Sequence, residues 1–236
     1  MRRTGCRAIV SWLAIIAGLP AWAVGEPSAH AKPFDDADGA VAWLVDHEAD
    51  GPTLDAARVH IEAAAGRDPD GARWRFGLGL LEARAGRWQE AKADFERAIE
   101  LDDGVAEYHH WLGNAIFSTI DKVGLFGKAA AAKKGRDAYL RALEIDPEHG
   151  GARVGLCEFY LNAPGIAGGS RRQAREHAER LVDIQGYACH GHRVLAVIHA
   201  KEGEWTLGAE RIDRAIETAE PGEERRSMYM AWIGLT

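Results

Sequence analysis

An all-α stack of antiparallel helix pairs is predicted by three observations. The first is a recurrence of spacing. Ala91, Phe95 and Ala98 repeat a pattern set 34 residues earlier by Ala57, Ile61 and Ala64, and Tyr139 and Ala142 return to it 44 residues beyond Phe95. A period of this size marks stacked supersecondary units. The second is helical periodicity, as in Val41, Leu44 and Val45, which follow the i, i+3, i+4 rule of an amphipathic helix. The third is punctuation: Pro69 and Pro147 close their units at matching places.

The N-terminus comes before the pattern. MRRTGCR carries three arginines and no acid, AIVSWLAIIAG is an apolar core, and Ala21-Trp22-Ala23 supplies small residues at a cleavage spacing. This order predicts a signal peptide over 1–23 and an exported chain, periplasmic or secreted. The apolar run is too short for the ~20 residues a membrane helix needs. Residues 24–37 hold two prolines and read as a flexible lead-in.

The helical array is expected over 38–222, in five units: 38–71, 72–105, 106–149, 150–188 and 189–222. In the second, Leu78-Gly79 take positions 7 and 8, Gly86 position 15, Ala91 position 20, Phe95 position 24 and Ala98 position 27. Leu112-Gly113 and Leu156-Cys157 return to positions 7 and 8. The third unit keeps register only with ten extra residues, near 119–131. The fourth needs five, near 162–170. Both insertions fall between the first helix (A) and the second (B) of their unit, so they are expected to form one composite knob. Residues 223–236 read as a capping helix or a shortened repeat, which a stack needs to cover its last apolar face.

This register resembles the tetratricopeptide repeat family, whose small residues at 8, 20 and 27 let helices approach while large ones at 7, 11 and 24 fill the space between. The resemblance covers most of the chain. It implies a right-handed superhelix, a binding role rather than catalysis, and a concave groove lined by the A helices. On this chain the implied groove residues include Arg73, Phe76, His110, Asn114, Phe117, Glu158, Arg193 and Val197. Asn114 sits where the family often bonds an extended peptide backbone. A mixed apolar and polar groove suits a peptide or short helix. The family's carboxylate clamp is not matched: of His110, Asn114, Gly155, His190 and Val194, only Asn114 fits.

Composition narrows the partners. The chain has 29 basic and 36 acidic residues, and removal of 1–23 leaves 26 against 36. Such an acidic balance disfavours nucleic acid, whose phosphates need a basic surface. No phosphate loop, zinc-protease helix or nucleophile elbow is present, so neither enzyme nor cofactor is expected. An enzyme of unrecognised type is the more distant alternative. Cys189, His190 and His192 are metal-ligand types, but a turn entering a helix splays them, and no metal is assigned. Cys157 and Cys189 fall at repeat positions too far apart to bridge each other. The nearer alternative function is anion binding by the glycine-rich loop 163–172, with Gly168, Gly169 and Ser170 offering N–H groups and Arg171 and Arg172 offering charge.

Overall fold

The computed structural model describes residues 34–47 and 50–219. These form ten α-helices and no strand among the described residues: α1 (Ala37–Asp46), α2 (Gly51–Arg67), α3 (Ala72–Arg84), α4 (Trp88–Leu101), α5 (Ala106–Ser118), α6 (Leu125–Ile145), α7 (Gly150–Asn162), α8 (Arg171–Asp183), α9 (Ala188–Lys201) and α10 (Trp205–Thr218). Short 3-10 turns lie at Ile120–Lys122 and Gly165–Ala167. Each helix packs on the next, so the chain builds a helical-repeat superhelix of five A–B pairs. No described helix is long and apolar enough to cross a membrane.

The repeat register becomes physical at position 8. A Cβ on Gly79 would lie 2.5 Å from the Phe95 ring, and one on Gly113 would lie 2.4 Å from Tyr139. Glycine there lets helix A press against the position-24 aromatic of its own helix B. Tyr139 is held from the other side too, since a Cβ on Gly155 of the next unit would also come within 2.4 Å of its ring. Between A and B, Gly86 and Gly203 share repeat position 15. Both adopt left-handed φ values, 75° and 80°, which a side chain would resist.

The helix starts carry legible caps. Asp36, Asp50 and Ser170 accept from the amides of Gly39, Thr53 and Gln173 at 2.7, 2.9 and 3.3 Å. The core runs through the stack as two main clusters that meet around α5. One centres on Leu44, Ile61, Leu80 and Phe95, the other on Tyr139, Leu156, Leu181 and Ile198.

Two expectations change. The lead-in 24–37 does not stay outside the fold to its end: Phe34 is buried against Trp43 and His60, and Ala37 already begins α1. The ten-residue insertion near 119–131 lies mostly within the second helix of its unit rather than between the two. After one 3-10 turn it lengthens α6 to 21 residues, against 14 in α4 and α10. Its run of Ala129 to Ala132 followed by two lysines has high helix propensity, which drives this outcome. The second insertion folds as the 165–167 turn and rests on α6, so the two are adjacent. Cys157 is a free buried thiol, packed with its Sγ 3.7 Å from the Ala174 carbonyl. Burial pushes its pKa up to about 12, so it is inert at neutral pH. The expected signal peptide (1–23) and final helix (223–236) lie outside the described residues.

Candidate functional site

The A-helix face begins at Arg73, which is about half exposed and pairs with Asp38 of α1. Phe76, expected to line the groove, is core instead. It is only 3% exposed, and its ring lies 5.6 Å from Phe95 and 4.7 Å from Tyr108. An aromatic at that position gains more from burial between units than from facing water. Further along, Phe117 stacks on Tyr139 at 5.6 Å and meets Phe159 at 6.0 Å. Glu158 of α7 pairs with Arg193 of α9 at 3.6 Å, joining the fourth and fifth A helices. Val197, one turn beyond Arg193, remains partly exposed.

The Asn114 amide is already engaged at both ends. Its Nδ2 donates to His110 Nε2 at 3.1 Å, and its Oδ1 accepts from the Tyr139 hydroxyl at 2.7 Å. A peptide backbone would have to displace one of these bonds. Asn114 thus fixes His110 and Tyr139 relative to each other.

His110 leads into a cluster that sequence spacing could not assemble. Glu107 lies one turn earlier on α5, and His149 lies 42 residues later, capping α7. Glu107 Oε1 accepts from the Trp111 indole at 2.9 Å and from His110 Nδ1 at 3.3 Å. Glu107 Oε2 accepts from His149 Nε2 at 2.8 Å. His149 Nδ1 accepts from the Ala152 amide at 3.2 Å, so its proton sits on Nε2. Burial favours protonating Glu107, but the bonds from His110 and His149 outweigh it and hold the carboxyl well below the usual range. Burial lowers the pKa of His110; in His149 the bond and charge of Glu107 overcome the burial and raise it. His149 was not singled out in the sequence, and Glu107 stood there only as a groove-facing position of its A helix. The one available signal was the i, i+3 pair Glu107 and His110 at the start of an A helix.

The loop 163–172 is shaped for closure rather than for an open anion cradle. Gly168 N–H donates to Gly165 O, Gly169 N–H to Pro164 O and Ser170 N–H to Tyr160 O, at 3.1, 3.1 and 2.9 Å. Gly168 takes a left-handed φ of 98°, and a Cβ on Gly169 would fall 1.7 Å from the Ala163 carbonyl. Arg172 pairs with Glu176, and Arg171 is exposed. The three amides expected to hold an anion are therefore committed within the loop.

Five stacked helix pairs, two of them with a glycine pressed on an aromatic at the same repeat positions, define a helical-repeat array. A tetratricopeptide repeat profile matches residues 72–104, the α3–α4 pair. Outside that pair the likeness is one of fold, carried by similar solved structures of repeat proteins. The chain is similar to the crystal structure of MamA (TM-score 0.56, 20% identity, covering 75% of this chain and 92% of that one). It is also similar to TTC0263, a thermophilic TPR protein of Thermus thermophilus (TM-score 0.63, 14% identity, 77% and 91% covered). A third similar structure is YrrB, described as a TPR protein with an unusual peptide-binding site (TM-score 0.53, 17% identity, 83% and 91% covered). At these identities the likeness establishes the fold. No curated protein sequence matches significantly.

Proposed function

We propose that this chain is a non-catalytic, exported scaffold that holds a peptide or protein segment along its A helices, in the assembly of the cell envelope. The carrying observation is the A-helix face from α7 to α9. There Glu158, Arg193 and Val197 present opposite charges and an apolar side chain, all partly exposed, on a buried and rigid backing. Mixed chemistry of this kind suits an extended segment with alternating side chains. The likeness to YrrB, described as having an unusual peptide-binding site, is in keeping with this reading. Export rests on the charge, apolar core and small-residue order of residues 1–23. If export holds, mass spectrometry of the protein from its native host gives a chain beginning at Val24. A chain retaining residues 1–23 in the cytoplasm would refute it.

For binding, the full chain is screened on a peptide array, and hits are measured by fluorescence anisotropy. Arg193→Ala with Val197→Asp is expected to weaken the best hits at least tenfold while leaving the helical spectrum unchanged. Equal affinity in that variant would remove the groove from the account.

A further inference from the structure

We propose that Glu107, His110 and His149 form a binding site for one divalent transition-metal ion, with Zn²⁺ the best match to one carboxylate and two imidazole donors. Three protein ligands with room for a further one is a known zinc arrangement, and imidazole with carboxylate suits this class of ion. The three ligand atoms all lie within 4.8 Å of one another. Ligand atoms around a tetrahedral ion sit roughly 3.3 Å apart at bond lengths of about 2.0–2.1 Å, so contraction of at most about 1.5 Å closes the set.

The setting favours an ion. The side chains of Glu107, His110 and His149 are 27%, 14% and 9% exposed, so the cluster is largely withdrawn from water yet reachable past the carboxylate. The ion-pair partners of Glu107 among the described residues are these two imidazoles alone. A buried carboxylate with only weakly charged neighbours attracts a cation. The rings are also positioned. A Cβ on Gly151 would lie 2.7 Å from His110 Cε1, so glycine there makes room for the ring. The ring stands 4.9 Å from that of His149, centroid to centroid.

Coordination needs a tautomer change at each histidine, with no net loss of protons. On His110 the proton moves from Nδ1 to Nε2. Asn114 then turns its amide so that Oδ1 accepts from His110 and Nδ2 donates to the Tyr139 oxygen, giving the outer support that metal-bound histidines use. On His149 the proton moves from Nε2 to Nδ1, and the Ala152 amide gives up its acceptor. Metal binding therefore competes with the cap of α7. The other group of this kind among the described residues, His199, Glu202 and Glu204, is less suited, because Glu202 already binds Arg175 at 2.6 Å and Glu204 is about half exposed.

The test uses the full chain stripped by chelator and titrated with Zn²⁺ against a chromophoric competitor. One tight equivalent is expected, weakened at least 100-fold by Glu107→Gln and by His149→Gln, and unchanged by His199→Gln. Hydrogen exchange at the Ala152 amide should quicken on Zn²⁺ addition. Circular dichroism checks folding; if Glu107→Gln does not fold, His149→Gln carries the comparison. Absence of a tight equivalent, retained affinity in His149→Gln, or a thiolate charge-transfer band with Co²⁺ would each overturn the assignment.

Discussion

Replacing Tyr139 by alanine is expected to cost about 3–5 kcal/mol, as truncation of a large buried aromatic does. The ring fills the space between Gly113 of one unit and Gly155 of the next, and it stacks on Phe117. Both flanking positions are glycine, so neither supplies a side chain to refill that slot. Tyr139→Phe separates the parts. It keeps the ring and removes only the 2.7 Å bond to Asn114, for a loss of about 1 kcal/mol. Urea unfolding followed by circular dichroism measures both. Similar losses in the two variants would mean that the hydroxyl, not the packing, joins units three and four.

A fall in stability between pH 6.5 and about 3, removed by His190→Phe, is the second large effect expected. His190 is 7% exposed, and burial, aided by the positive charge of Arg193, pushes its pKa down to about 3. The folded state keeps the ring neutral while the unfolded chain takes up a proton below 6.5. Stability is therefore full above 6.5 and lost as pH falls toward 3, where the folded form also protonates. At about 1.36 kcal/mol per unit the span is at most about 4–5 kcal/mol. Urea midpoints at several pH values, wild type minus variant, isolate this residue from the carboxylates. A difference that stays flat from about pH 7 to 4 would show that His190 titrates normally.

Much of the fold was legible because packing constraints repeat. Gly79 and Gly113 fall at one repeat position because each must face an aromatic ring from its own helix B. The same rule placed Phe95 and Tyr139 in the core. The candidate site was less legible, since its chemistry is set by which neighbours happen to meet. Phe76 has the spacing of a groove residue, but its neighbours Phe95 and Tyr108 draw it inward. Asn114 has the right position for a ligand, yet Tyr139, 25 residues away, takes its oxygen. Glu107 and His149 are brought together only by stacking α7 on the α5–α6 pair. The insertion near 119–131 broke the period and so was placed between the two helices of its unit. Its alanines carry its helical nature, a local signal independent of the repeat register.

The lengthened α6 gives the scaffold an uneven rim. Seven residues more than α4 or α10, at about 1.5 Å each, amount to about 10 Å of added reach on the side where A joins B. The added length lies beside the Gly165–Ala167 turn, so the two irregular connections share one side of the stack.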